Sequence, residues 1–163
     1  MTVHAPRILA AALFAAFSVG NVWAQQACPC GTGVRLVAAQ IAPLMANKTV
    51  CGVAGGNTWQ EFHSGSTARG GPVIDWKMGP NHAVDPSKQV ATWSVPATRS
   101  GSRIVYDYGG GITYRFAVCQ VSADTVNLCG EANTTTNLLG AVLRPGQVAC
   151  SAGNGLPLAA SKR

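Results

Sequence analysis

The chain has 163 residues, of which 47% are hydrophobic and 11% are charged, and its formal net charge is +6. This length suits one domain with its own core. The basic residues are scattered, apart from the final Lys162-Arg163, and no basic run alternates with aromatic residues. Nucleic-acid binding is therefore not expected. The positive charge predicts only a weak attraction to anionic polymers or cell envelopes.

Residues 1–24 have the order of a secretory signal peptide. Arg7 precedes an apolar run from Ile8 to Val19, and Val22-Trp23-Ala24 supplies the small or aliphatic residues of a cleavage site. The run is shorter than the roughly 20 residues that a spanning helix needs. We expect cleavage after Ala24 rather than retention as an anchor, with no transmembrane segment afterwards. The protein is therefore predicted to be secreted or periplasmic.

The rest of the chain divides into an arm with a short helix at residues 25–47, a β domain at 48–151 and a flexible tail at 152–163. In the stretch GVRLVAAQIAPLMANK, apolar residues recur at helical spacing. Pro43 lacks the amide that a continuing helix needs. The helix is therefore predicted to end near Ile41 or to fray past it.

From Lys48 onward, short runs rich in Val, Ile, Thr, Trp and Tyr alternate with Gly, Pro, Asn and Asp. Residues 133–143 are interpreted as a long connection. Short strands at even spacing predict an all-β, antiparallel up-and-down barrel of about eight strands, with a β-sandwich as the alternative. The predicted strands are Lys48–Val53, Asn57–His63, Val73–Met78, Gln89–Val95, Ser102–Tyr108, Ile112–Val121, Thr125–Gly130 and Gln147–Ser151.

One hairpin can be assigned a register from the sequence. Tyr108 and Ile112 flank three glycines, which permit the positive φ angles of a tight turn. If these two residues pair, the side chains of three cross-strand pairs share one face, which we expect to be core. The pairs are Tyr108–Ile112, Tyr106–Tyr114 and Ile104–Phe116.

The next hairpin is predicted to turn at Ala123-Asp124-Thr125. If Val121 then lies opposite Asn127, Cys119 lies opposite Cys129 on the outer face. The core face continues through Val118, Val126 and Leu128.

All six cysteines follow the predicted signal peptide, at Cys28, Cys30, Cys51, Cys119, Cys129 and Cys150. An even number in an exported chain indicates a disulfide framework, and six cysteines allow about fifteen full pairings. The hairpin register favours Cys119–Cys129. Cys51 and Cys150 lie in the first and last predicted strands, so closure of the sheet would favour Cys51–Cys150.

The motif Cys28-Pro29-Cys30 is left without a partner by these pairings. A redox pair and a soft-metal site are two interpretations. The third is that one or both cysteines bond elsewhere and tether the arm, which is the ordinary use of cysteines in secreted domains. No metal and no cofactor are predicted.

Two histidines follow the signal peptide, His63 and His82. Glu61 and His63 are two residues apart on a predicted strand and therefore share a face. With Asp75 and Asp85 these side chains include metal-binding types, but their spacing matches no known ligand template. We interpret them as solvent-exposed polar residues of strands and turns. No G-x-S-x-G motif is present, and no enzyme activity is predicted.

Alternation of apolar and polar residues predicts several aromatic side chains on the inner face. On one strand, Ile74, Trp76 and Met78 alternate with Asp75 and Lys77. Inner residues of a small barrel either fill the interior or line a site for one small ligand. The predicted ligand-binding residues are Trp76, Trp93, Tyr106, Tyr108 and Tyr114, with plain core packing as the alternative.

The short helix, the strand KTVCG and the stretch VATWSVPATRSGSRIVYDYGGGITYRFAV resemble the lipocalin-like, or calycin-type, small secreted β-barrels. The resemblance covers residues 48–151. It implies a barrel architecture and ligand binding. No binding residue is carried over, because the G-x-W signature of that family is not at the first strand.

Three functional hypotheses follow. The first is a non-enzymatic secreted barrel that binds a small apolar or aromatic ligand or an envelope component. The second is a structural or interaction protein of the periplasm or cell surface. The third is an enzyme or redox protein that uses Cys28 and Cys30, or His63 and His82.

Overall fold

The computed structural model describes residues 27–65, 69–76, 86–96 and 102–150. The predicted signal peptide and the predicted tail at 152–163 lie outside these residues. Within the described ranges the chain forms one helix and nine strands. They are β1 (Val34–Arg35), α1 (Ala38–Met45), β2 (Lys48–Ala54), β3 (Asn57–His63), β4 (Gly70–Asp75), β5 (Lys88–Ser94), β6 (Ile104–Asp107), β7 (Thr113–Gln120), β8 (Thr125–Gly130) and β9 (Leu138–Pro145).

Eight of these strands close into an antiparallel barrel. Each strand from β2 to β8 pairs with the next along the chain, and β9 pairs back with β2. The short β1 adds to β7, where Arg35 lies opposite Cys119. Closure satisfies the backbone groups that an open sheet edge would leave unpaired. The predicted up-and-down barrel with one short helix is confirmed, and the sandwich alternative is wrong.

The register predicted for the first hairpin is confirmed, with Tyr106 opposite Tyr114 and Ile104 opposite Phe116. Ile104, Tyr106 and Phe116 are fully buried in the barrel interior. The prediction that the whole face is core is wrong, because Ile112 and Tyr114 are 53% and 40% exposed. These two residues lie at the end of the barrel, beyond the packed interior.

The second hairpin has a tighter turn than predicted. The Val121 amide donates to the Thr125 carbonyl at 2.9 Å, and Cys119 lies opposite Asn127 rather than Cys129. Hydrogen bonds among the side chains of residues 122–125 hold this turn. A shift by two residues keeps every side chain on its predicted face. The predicted core residues Val118, Val126 and Leu128 are accordingly buried.

The last strand is β9, not the predicted Gln147–Ser151. Residues 147–150 are irregular, Ser151 lies outside the described residues, and the predicted connection at 133–143 contains most of β9. A bulge places Leu139 and Gly140 opposite the single residue Asn127, and Gly140 has φ +64°. The extra residue breaks the alternation that identifies a strand in a sequence.

The helix α1 runs to Met45 and includes Pro43, so the predicted end near Ile41 is wrong, and the chain past Ile41 is helical rather than frayed. Ile41 and Met45 are fully buried and belong to the same core cluster as the barrel interior. This burial offsets the backbone hydrogen bond that Pro43 does not make. In the described part of the chain, no helix is long and apolar enough to cross a membrane.

Strand β4 presents the opposite face to the one predicted. Val73 lies opposite His63 and Asp75 opposite Glu61, so Val73 and Asp75 point inward. Trp76 is only 2% exposed but is not part of the interior cluster. Its carbonyl accepts a hydrogen bond from the Gln60 side chain on the outer face. The other predicted strand residues beyond Trp76, Lys77 and Met78, lie outside the described residues.

The C-terminal segment explains why an outer face can be apolar. Residues 147–150 run across the outside of β2 and β3, where the Val148 amide donates to Thr49 Oγ1 and the Cys150 amide donates to Gln60 Oε1. The Cys51–Cys150 disulfide fixes this segment. Apolar residues on this face are therefore shielded from water, and alternation alone does not identify the interior.

The disulfides are Cys28–Cys119, Cys30–Cys129 and Cys51–Cys150. The predicted Cys51–Cys150 bond is confirmed. The predicted Cys119–Cys129 bond is wrong, because these residues are diagonal rather than directly opposite on β7 and β8. Each instead bonds to the N-terminal arm, so the interpretation of Cys28 and Cys30 as tethers is confirmed. Three disulfides fit an oxidising compartment.

Peptide mapping tests this connectivity. Trypsin cleaves after Arg35, Lys48, Arg69 and Arg115 but not at the Arg144-Pro145 bond. Cys28 and Cys30 therefore lie on one peptide, Cys51 on residues 49–69, and Cys119, Cys129 and Cys150 on residues 116–162. We expect these three peptides to remain joined without reduction and to separate after it. Additional cleavage before Asp124 is expected to yield four peptides joined by three disulfides. Recovery of the peptide with Cys28 and Cys30 as a separate, internally bonded species would contradict this arrangement.

Candidate functional site

The two ends of the barrel differ. Helix α1 packs over the end where β2 begins, and Ile41 and Met45 fill it. The other end, here called the mouth, carries the turns at residues 55–56, 109–111 and 131–137. A groove of about 490 Å³ opens there. It is lined by Ala54, Gly55, Thr58, Trp59, Tyr108, Ile112, Tyr114, Phe116 and Thr136.

The hairpin between β6 and β7 supplies most of the aromatic wall. The Tyr108 amide donates to the Ile112 carbonyl at 3.0 Å, which holds both residues at the rim. The Tyr108 and Tyr114 rings meet edge to face with centroids 5.6 Å apart. Trp59, on β3, makes the same kind of contact with Phe116 at 6.0 Å. The groove thus has a rigid aromatic wall and an exposed apolar rim.

A buried carboxylate lies behind this wall. Glu61 Oε2 accepts a hydrogen bond from Trp59 Nε1 at 2.8 Å, and Glu61 Oε1 accepts one from the Tyr108 hydroxyl at 2.5 Å. Burial raises the pKa of Glu61 to about 7, an effect that the Tyr108 hydrogen bond opposes and the charge of Asp75 reinforces. Burial and the Glu61 charge raise the pKa of Tyr108, so its hydroxyl stays protonated and remains a donor.

Asp75 adds a second carboxylate on the inner side of the barrel. It lies opposite Glu61 on β4 and opposite Lys88 on β5. The Lys88 side chain is exposed. The sequence predicted Asp75 on the outer face, and the register between β3 and β4 places it inside instead. Two acidic side chains therefore lie near one another at the mouth half of the barrel.

His63 lies deeper, at the end of β3 nearest to α1. Its Nε2 shares a hydrogen bond with the Tyr106 hydroxyl at 2.8 Å, and its ring contacts Trp93 with centroids 5.6 Å apart. Complete burial lowers the pKa of His63 to about 3, and the Lys48 backbone opposes this shift only weakly. Burial also raises the pKa of Tyr106. This histidine is a neutral part of the core.

The predicted shared face of Glu61 and His63 is confirmed, but their predicted exposure to solvent is wrong, since both are buried. His82 and Asp85 lie outside the described residues. Among the residues that are described, the one group of three potential metal ligands consists of Cys28, Cys119 and Cys129. Their sulfur atoms are all engaged in disulfides and offer no thiolate.

The five predicted ligand-binding residues separate into three groups. Tyr108 and Tyr114 line the groove. Trp93 and Tyr106 are packed in the interior with 1% and 0% exposure, and Trp76 lies outside it. Three large lining residues are absent from the predicted ligand-binding set: Trp59, Ile112 and Phe116. The hairpin register predicts Ile112 and Phe116 on the inner face, but as core. The run TWQEFH contained the signal, because Trp59, Glu61 and His63 share one face of an extended strand.

Glu61 and His63 make opposite contributions to stability as pH changes. The folded state keeps the Glu61 proton up to about pH 7 whereas the unfolded state loses it near 4.5, so stability falls as pH rises between these values. The folded state keeps His63 neutral down to about pH 3 whereas the unfolded chain protonates near 6.5, so stability falls as pH decreases through this range.

Between pH 4.5 and 6.5 the two residues change the free energy of unfolding in opposite directions, so their pH dependences cancel. The substitution Glu61→Gln removes the Glu61 contribution. From pH 4.5 to 7 we expect the free energy of unfolding of Glu61→Gln to rise by about 3 kcal/mol relative to wild type. Urea unfolding at several pH values measures this difference. His63→Gln is the matched variant and should show the opposite trend below pH 6.5. A constant difference between Glu61→Gln and wild type would show that folding does not raise the pKa of Glu61.

Comparison of the chain with protein-family models, curated proteins and solved structures found no match. The aromatic groove and the carboxylates beside it form the candidate functional site of the described residues.

Proposed function

We propose that this protein is an exported, non-enzymatic binding protein whose site is the groove at the barrel mouth. Its ligand is a small molecule with a flat apolar or aromatic part, free or as part of an envelope component. The single observation that carries the proposal is the groove itself. It combines a wall of ordered aromatic rings with two exposed apolar side chains, Ile112 and Tyr114.

The size and composition of the groove support binding of one small ligand. Its volume of about 490 Å³ lies within the range of small-molecule sites, roughly 300–1,000 Å³. Exposed apolar side chains beside a concave aromatic surface are typical of ligand-binding grooves. A closed eight-stranded barrel with a helix over one end is also compatible with a lipocalin-like barrel, and that likeness supports a site at the open end.

The depth of the site is limited by the packed interior. Trp93, Tyr106 and Phe116 are almost fully buried and contact other core side chains. The ligand therefore lies in the mouth rather than deep in the barrel. Binding is favoured over catalysis because both Glu61 oxygens already accept hydrogen bonds and His63 is enclosed.

A second depression offers a comparison within the same molecule. It has a similar volume of about 490 Å³ and lies on the outside, between the end of α1 and β9. Its lining includes Lys48, Asp124 and Arg144 and contains no aromatic side chain. An aromatic ligand would find few stacking partners there, so the mouth is the favoured site.

Binding can be measured with N-phenyl-1-naphthylamine, a neutral aromatic probe whose emission rises when it leaves water. Ile112→Ser should weaken binding about tenfold, since it removes a large apolar contact from the rim. Leu139→Ser is the matched control, because Leu139 is also 53% exposed but does not line the groove. We expect it to bind the probe as wild type does.

Trp59→Phe provides a second readout. Trp59 lines the groove, so the bound probe should quench its emission, and the total tryptophan quenching should be smaller in the variant, which keeps Trp76 and Trp93. The proposal fails if neither this probe nor a panel of small aromatic compounds binds, or if Ile112→Ser and Leu139→Ser weaken binding equally.

A further inference from the structure

We propose that the groove selects organic cations, such as primary amines that carry an aromatic or alicyclic group, over neutral or anionic molecules of the same shape. This inference rests on the proposed function and adds the charge of the ligand to it. The juxtaposition that carries it is an aromatic wall in which Trp59 Nε1 and the Tyr108 hydroxyl both donate hydrogen bonds to the Glu61 carboxylate.

Aromatic rings attract cations through the negative potential of their faces. A cation within about 6 Å of a ring centroid gains from this attraction, most strongly over Trp and Tyr. Trp59, Tyr108 and Tyr114 all line the groove. The Tyr108 and Tyr114 planes lie at 82° to one another, so their faces point in different directions. A ligand in the groove therefore meets both the face of one ring and the edge of another.

Glu61 strengthens this attraction from behind the wall. A hydroxyl or indole N–H that donates to a carboxylate is polarised toward it, which increases the electron density of its ring. Glu61 accepts from both Trp59 and Tyr108 and is shielded from water by them, so its charge is weakly screened. Because an indole N–H and a phenol O–H donate in the plane of their rings, the Glu61 carboxylate lies at the edges of Trp59 and Tyr108, beside the faces over which a ligand ammonium lies.

Asp75 adds to the negative potential from the neighbouring strand. It lies opposite Glu61, and its charge raises the pKa of both Glu61 and Tyr108. Of the cations on adjacent elements, Lys88 lies directly opposite Asp75 with an exposed side chain, and Arg115 lies opposite Val105 on the outer face of β6 and β7. Neither of them lines the groove.

None of the described residues that line the groove is lysine or arginine. This contrasts with the chain as a whole, whose formal net charge is +6. It also contrasts with the outer depression, which is lined by Lys48 and Arg144. A groove with a negative electrostatic potential repels anions at short range, even though the protein as a whole is positively charged.

The shape of the groove indicates how such a ligand is oriented. The charged group lies over Trp59 and Tyr108, beside Glu61. The apolar remainder packs against Ile112 and Tyr114, whose exposed surfaces it covers. Both Glu61 oxygens are already hydrogen-bonded, so the ligand is held by charge and by ring contacts rather than by replacing these bonds.

Three compounds with the same ring test this selectivity: 2-(1-naphthyl)ethylamine, 2-(1-naphthyl)ethanol and 3-(1-naphthyl)propionate. Dissociation constants are measured by calorimetry at pH 8, where Glu61 is ionised. The amine should bind about tenfold more tightly than the alcohol, and the propionate about tenfold more weakly than the alcohol. The informative quantity is the ratio of the amine and alcohol constants within each variant.

Glu61→Gln should reduce this ratio to about twofold, because it removes the charge beside the rings. Asp124→Asn is the matched control: it removes one negative charge on the opposite end of the barrel and should keep the wild-type ratio. If Glu61→Gln no longer binds the alcohol, Asp75→Asn replaces it and should lower the ratio about threefold.

The outcomes separate this inference from the proposed function. If all three compounds bind equally, or if the propionate binds best, charge selection is wrong while the groove remains a binding site. If none of the three binds and the neutral probe also fails, the proposed function itself is wrong. An amine preference that persists unchanged in Glu61→Gln and Asp75→Asn would overturn the role of the carboxylates.

Discussion

The pairing of β9 with β2 is the contact on which the rest of this structure depends. It closes the sheet, so every strand between them has one face turned toward a common interior. Residues such as Tyr106, Phe116 and Leu138 are then buried by neighbours from several strands. Gly52 contributes to the closure, because a Cβ at this position would lie only 2.7 Å from a methyl carbon of Leu138.

The disulfides act on the outside of this barrel rather than within it. Cys28 and Cys30 hold the N-terminal arm against β7 and β8, and Cys51 holds the C-terminal segment against β2. The covered strands are therefore buried on both faces, as the near-complete burial of Ala117 between Phe116 and Val118 illustrates. Each bond spans more than 90 residues of chain, and long loops are those whose closure restricts the unfolded chain most.

The polar groups inside the barrel are arranged so that each end has a different chemistry. His63 and Tyr106 share a hydrogen bond near the helix-covered end, where burial keeps the imidazole neutral. Glu61 lies between this pair and the mouth, with Tyr108 as one of its two donors. Burying a carboxylate is costly, and burial raises the pKa of Glu61 to about 7 although both of its oxygens accept hydrogen bonds. This remaining cost is a reason to regard Glu61 as part of a site rather than as ordinary core.

The amino-acid sequence alone determined the class of the fold, the first hairpin register and one disulfide. Alternation and turn residues carry this information, because the side chains of an extended strand alternate with a period of two. The three glycines between Tyr108 and Ile112 identify the turn in the sequence, and the position of the turn fixes the register of Tyr106 with Tyr114. The sequence also placed Glu61 and His63 on one face, although not in the interior.

Tertiary structure decided the last strand, two of the disulfides, the buried face of β4 and the groove, for reasons that lie outside any single strand. The bulge at Gly140 interrupts the alternation by which β9 could be recognised, and the tighter turn before Thr125 places Cys119 opposite Asn127 rather than Cys129. Terminal segments shield outer faces, so hydrophobicity did not distinguish the inside from the outside at Trp76. The groove belongs to this second category as well. It exists because residues from β2, β3, the turn between β6 and β7, β7 itself and the segment after β8 meet at one end of a closed barrel, and only closure brings them together.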